Sequence, residues 1–116
     1  MRSPAEVFAE HCASGQLAYQ VDADGRPVFH PRLGPYEWRV SEGRGRVYAT
    51  TTVRPRGGEP YDVSLIELDE GFRMMSRVED VDAMQVKIGM RVRVRMHPES
   101  EKEPAYPVFV PAEGGK

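Results

Sequence analysis

Residues 41–71 read SEGRGRVYATTTVRPRGGEPYDVSLIELDEG. Two runs of strand formers, residues 46–54 and 61–68, flank the turn sequence Pro55-Arg56-Gly57-Gly58-Glu59-Pro60. The Val, Tyr and Thr of the first run are stiff at χ1 and suit a pleated, half-buried surface. The Pro and Gly between the runs force the chain to reverse, which predicts an antiparallel pair. The second run has apolar residues at both parities (Val63 and Leu65, then Ile66 and Leu68), so it reads as a central strand covered on both sides. Glu42-Gly43-Arg44-Gly45 leads into a strand, where Gly marks a bulge or bend; it does not form a phosphate loop opening a helix.

Toward the C-terminus, Asp69-Glu70-Gly71 turns the chain into a further strand over residues 72–78, and residues 81–86 read as a helical turn. The next strand, residues 90–96, alternates cleanly: Met90, Val92, Val94 and Met96 on one face, Arg91, Arg93 and Arg95 on the other. A polar loop leads to a last strand over residues 106–110. Five strands after Trp38, with one helical turn between the third and fourth, suit a Greek-key barrel of the OB type. Toward the N-terminus, Ser3-Pro4-Ala5-Glu6 has a hydroxyl cap, Pro at the first helical position and an acid in the first turn, predicting a helix over Pro4–Ala13 that Ser14-Gly15 stops. Between them, residues 17–21 and 27–29 read as two short strands joined by Asp22-Ala23-Asp24-Gly25, and residues 31–35 as a second turn. This hairpin module has little apolar content and needs packing against something else.

With 116 residues, 40% of them hydrophobic and 29% charged, the chain reads as one modest soluble unit. A net charge of −2 lacks the basic excess of most nucleic-acid domains. The single cysteine, Cys12, excludes an intramolecular disulfide, and on the apolar side of the helix it reads as a small packed hydrophobe. No run approaches the roughly 20 apolar residues of a membrane span, and MRSPAEVF lacks the apolar segment of a signal peptide, so a cytoplasmic location is expected.

Chemistry is sparse. His11, His30, His97 and Cys12 are scattered without ligand spacing, which argues against structural zinc. No Ser sits in an elbow motif, and Asp62, Glu67, Asp69, Glu70, Glu79, Asp80 and Asp82 read as solvated acids of turns and strand ends, not a general-acid pair. Arg91, Arg93 and Arg95, spaced by about 6.7 Å on one strand face, form the one polar feature with geometry. Arg54 and Arg56 at the hairpin tip could extend it. Guanidinium groups suit phosphates and carboxylates; the plain alternative is a solvated face paired with local Glu and Asp.

The order of segments (GQLAYQ, GRPVFHPR, SEGRGRVYATTTVRP, YDVSLIELDEG, VKIGMRVRV and YPVFVP) resembles the acyl-CoA-associated OB-fold family that carries an N-terminal rubredoxin-like zinc ribbon. The resemblance is most specific over residues 43–53, 65–71 and 86–94. It divides the chain into a helix and ribbon hairpin over 1–37, a barrel over 38–112 and a frayed tail over 113–116. Family members commonly have two CxxC pairs in the ribbon. Here Val21 and Asp24 stand at the first pair, and residues 32–37 hold no cysteine. The resemblance therefore implies a degenerate, metal-free ribbon, held by Tyr19, Val28, Phe29 and Trp38 or by a partner.

The resemblance further implies a non-catalytic accessory subunit in a hetero-oligomer with a thiolase-fold enzyme (thiolase, acyltransferase or retro-aldolase) or an acyl-CoA hydratase. It would help shape the CoA or acyl channel and bind no cofactor of its own. Arg54, Arg56, Arg91, Arg93 and Arg95 would then face CoA phosphates, the partner or water. Two rival readings are an OB-fold for single-stranded nucleic acid, stacking bases on Tyr48 and Phe72, and a self-sufficient thioester hydrolase using Asp62 and Glu67.

Overall fold

Ser3 caps the first helix through both halves of a capping box: its hydroxyl accepts from Glu6 N at 3.2 Å, and the Glu6 carboxylate accepts from Ser3 N at 2.9 Å. This computed structural model describes residues 3–98, 100, 101 and 104–112, so the tail expected over 113–116 lies outside the described residues. The helix, α1, spans Pro4–Ala13 and stops at Gly15, whose φ of +80° suits glycine. Cys12 is buried on it, and burial pushes its thiol up to about 11, so the group stays protonated.

Strands β1 (Ala18–Val21), β2 (Pro27–Val28) and β3 (Glu37–Val40) form an antiparallel sheet in the order β2-β1-β3. Trp38 thus pairs with Gln20 of β1, and residues 38–40, expected at the start of the barrel, hydrogen-bond within this first sheet. Every residue of β1 is buried, including Gln20. The Gln20 carboxamide grips the second turn at Arg32, Oε1 accepting from Arg32 N and Nε2 donating to Arg32 O, each at 2.9 Å. The first turn is held by Asp22 Oδ1, which accepts from Asp24 N and Arg26 N at 2.9 Å. Among the described residues, no group of three or more His, Cys, Asp or Glu is placed to hold a metal ion.

The module packs on the barrel through stacked rings. Tyr19 lies 4.7 Å from Phe72 and Phe29 lies 5.1 Å from it, while Phe8 of α1 meets Phe29 edge-on at 5.9 Å. Of the other two expected packers, Trp38 stacks on His11 and Val28 is half-buried. One apolar cluster runs from Leu17, Tyr19 and Val21 into Val47, Ile66, Leu68 and Phe109. The module is ordered by the chain's own core. Ser41 forms the joint: its N–H donates to Leu17 O, and its hydroxyl donates to Glu70 Oε1, each at 2.8 Å.

The barrel is the expected OB-fold. Strands β4 (Arg44–Val53), β5 (Tyr61–Leu68), β6 (Arg73–Ser76), β7 (Arg91–His97) and β8 (Tyr106–Pro111) form a curled sheet ordered β6-β5-β4-β7-β8. A parallel bridge, Val78 to Phe109, joins its two edges, and a 3₁₀ turn at Ala83–Gln85 lies between the third and fourth barrel strands. The bulge sits between Val47 and Ala49, a few residues beyond the glycines expected to mark a bulge or bend. Gly43 instead takes a φ of +77° beneath Val94, and Gly45 lies in the ladder against the Glu67 backbone.

Candidate functional site

Alternation sets what each barrel strand shows to water. On β5, Asp62, Ser64, Ile66 and Leu68 point inward and are buried, leaving Tyr61, Val63, Leu65 and Glu67 on the outer face. Asp62 is therefore not a solvated turn acid. It is 3% exposed, and its Oδ2 accepts from Ser64 Oγ at 2.6 Å and Val78 N at 3.0 Å. The register that seats Ile66 and Leu68 in the core carries Asp62 inside with them. Ser64 also shares a 2.9 Å hydrogen bond with Thr50, so the buried carboxylate is spent on structure.

The expectation that β5 is covered on both sides is corrected on the outer face. Cross-strand register joins Val53 to Tyr61, Thr51 to Val63, Ala49 to Leu65, and Leu65 to Met75. Tyr61 is 45% exposed, Met75 58%, and Tyr48, thrown out by the bulge, 42%. Apolar residues at both parities looked like a core strand in sequence; half of them form an open apolar face. At its edge, between β6 and β8, lies a depression of about 230 Å³ lined by Tyr61, Val63, Met75, Arg77, Tyr106 and Val108, among others.

The same face becomes cationic toward the other end of the strands. A row crosses the sheet from Arg73 through Glu67 and Arg46 to Arg91, and Arg44 stands opposite Arg93. Glu67 accepts from Arg46 at 2.8 Å and from Arg73 at 3.1 Å, and these two hydrogen bonds hold its carboxyl below the usual range. The Arg73 guanidinium also lies 3.7 Å over the Tyr48 ring.

The five arginines singled out in sequence do not converge. Arg91 pairs with Asp69 at 3.1 Å, and Arg95 with Asp80 at 2.6 Å and Glu79 at 2.7 Å. Arg93 has no ion pair among the described residues and is exposed. Arg54 lies just past the far end of β4, eight residues from Arg46, and donates to Met84 Sδ. Arg56 sits in the exposed hairpin turn.

A second polar cluster closes the barrel. Glu79 accepts from Arg77 at 2.6 Å as well as from Arg95, Arg77 donates to Tyr106 Oη at 3.0 Å, and His97 stacks on Tyr106 at 4.7 Å. Burial pushes the Glu79 carboxyl up, but the Arg95 and Arg77 hydrogen bonds outweigh it and leave the group below its ordinary 4.5. A depressed folded value means that Glu79 stabilises the fold above about pH 4.5 and loses that contribution as pH falls further. The wild-type melting temperature is expected to drop below pH 4.5, with a shallower drop in Glu79→Gln. Parallel curves across that range would refute the assignment.

Residues 38–97 match the model of a family described as the ChsH2 C-terminal OB-fold domain. Over 70 residues the chain is 34% identical to the 3-oxo-4,17-pregnadiene-20-carboxyl-CoA hydratase alpha subunit of Mycobacterium tuberculosis, covering 57% of this chain and 22% of that one. Over 68 residues it is 31% identical to a DUF35 domain-containing scaffold protein of Methanothermobacter thermautotrophicus, covering 54% and 51%. The chain thus spans about a fifth and about half of these curated relatives. A solved structure, the Ltp2-ChsH2(DUF35) aldolase, superposes with a TM-score of 0.80 at 25% identity, covering 97% of this chain and 98% of that one. Among the described residues, no helix is long and apolar enough to cross a membrane.

Proposed function

This chain belongs to the family of the ChsH2 C-terminal OB-fold domain, and from that premise we propose that it is a non-catalytic accessory subunit of an assembly that processes acyl-CoA thioesters. It docks on the enzyme, a thiolase-superfamily member or an acyl-CoA hydratase, and helps shape the channel for the CoA or acyl group. The observation that carries this reading is the end-to-end likeness to a chain of the Ltp2-ChsH2(DUF35) aldolase, in which 97% of this chain finds a counterpart. Of the other relatives, one is named as a subunit of a CoA hydratase, which supports the substrate class, and one as a scaffold protein, which supports the accessory role.

The side chains agree. The Cys12 thiol is buried and held protonated, Asp62 is committed to Ser64 and Val78, and Glu67 and Glu79 are each clamped by two arginines. Groups so occupied are poor nucleophiles and poor proton carriers. The three-stranded module stands without cysteine ligands because Gln20, Asp22 and the Phe72 stack do the holding, consistent with a ribbon that dispenses with zinc.

The test is co-expression of the full chain with the acyl-CoA enzyme encoded beside it. Co-elution at a fixed stoichiometry, with a change in that enzyme's kcat/KM for its thioester, is expected. A chain that elutes alone and leaves the enzyme unaltered, or that hydrolyses thioesters by itself, would overturn the reading.

A further inference from the structure

We propose that the outer face of β4, β5 and β6 is the surface on which the partner enzyme docks. Apolar side chains of the partner lie against Tyr61, Val63, Leu65 and Met75. One of them fills the 230 Å³ depression between β6 and β8, and carboxylates at its rim meet the arginine end of the face. The inference rests on the accessory-subunit reading and adds the place and chemistry of contact.

Three observations favour this occupant. Tyr48, Tyr61 and Met75, three of the exposed large apolar side chains, share one sheet face, and strand register makes the apolar stripe continuous from Val53 to Met75. Such contiguous exposure marks interaction sites. The depression has the size of one side chain and adjoins Tyr61 and Met75, the arrangement in which an anchor residue carries most of the energy of an interface. Charge names the rim: among the described residues, the ion pairs of Arg44, Arg46, Arg73, Arg91 and Arg93 are with Glu67 and Asp69 alone, a local excess of three positive charges on a chain whose net charge is −2. A partner with an acidic border is drawn to that end and oriented by it. A second copy of this chain would set arginines against arginines if the two faces met in parallel register.

The experiment measures affinity for the co-purified enzyme in Met75→Glu, Tyr61→Glu, Arg44→Glu/Arg93→Glu and the control Leu33→Glu. Leu33 is 80% exposed on the three-stranded module, away from this face, and each variant is first checked for the wild-type melting temperature. Met75→Glu and Tyr61→Glu are expected to weaken binding about 30-fold or more, as loss of an interface anchor does. The double arginine reversal should slow association at low salt and converge on wild type at high salt. Leu33→Glu should bind as wild type does.

Undiminished binding by Met75→Glu and Tyr61→Glu overturns the docking face while the accessory role stands; failure of the wild-type chain to bind overturns both. Self-association of the wild-type chain abolished by Met75→Glu would assign the face to a second copy and overturn the proposal. So would coenzyme A binding lost in the arginine reversal with the enzyme complex intact.

Discussion

Gly45→Val is expected to cost about 3 kcal/mol or more and to lower the melting temperature by about 12 °C or more, measured by circular dichroism on the full chain. β4 is the strand through which the barrel is assembled, pairing with β5 on one side and β7 on the other, and Gly45 faces Leu68 and Val92 across those two ladders. A Cβ at this position would fall inside contact distance of the Glu67 carbonyl oxygen, 3.1 Å from the Glu67 carbonyl carbon and 3.2 Å from Leu68 Cα. All three atoms are backbone. No rotamer change relieves the clash, so β5 must move, and with it the Asp62 and Ser64 hydrogen bonds seated on the same strand. The control is Gly57→Asn in the hairpin turn, where φ is +76° and nothing lies within 4 Å. Asn tolerates that conformation, and the change should stay within about 0.5 kcal/mol. A folded Gly45→Val protein melting with wild type would show that the β4–β5 approach is looser than described.

Gly45 also shows what a sequence can and cannot announce. Strand type and face were legible for β7, because Val92 alternates with arginines that only water or ions can satisfy, and for α1, because Ser3, Pro4 and Glu6 are local signals. The fold class followed, since the order of strands and turns is local information summed. The partners of those strands were another matter. Arg91 meets Asp69 and Arg95 meets Asp80 only because the barrel brings separate turns to β7, so a cationic stripe in sequence becomes a set of ion pairs in space.

Gln20 carried no signal at all, yet β1 is covered on both faces and the Gln20 carboxamide pairs with the backbone N–H and C=O of Arg32 in the second turn. Asp62 misled for the same reason. The outer apolar face lay hidden in β5 because Val63 and Leu65 look like core until the register shows which parity the core takes.

The second large effect concerns how the two sheets hold each other. Phe72→Ala is expected to cost about 3–5 kcal/mol, the range for deleting a buried aromatic ring. Phe72 is 4% exposed and is aimed by the turn at Gly71, where φ is +102° and Leu68 N donates to Phe72 O at 2.8 Å. Its ring stacks on Tyr19 and Phe29 together, at 4.7 and 5.1 Å, so one truncation removes two aromatic pairs at once. Those rings, with Leu17 and Val21, are the apolar contact by which the three-stranded module joins the barrel core.

The loss should therefore fall unevenly. In native-state hydrogen exchange of Phe72→Ala, amides of β1 and β3 should open well before those of β4 and β5, whereas in wild type the two sheets should be protected alike. Phe72→Leu, which keeps apolar volume but not the stack, should lie between. Uniform loss of protection in both sheets would mean that the module and barrel unfold as one body whatever joins them. A cost below about 1 kcal/mol would place the holding force elsewhere, in Leu17 and Val21 of the shared core or the Ser41–Glu70 joint.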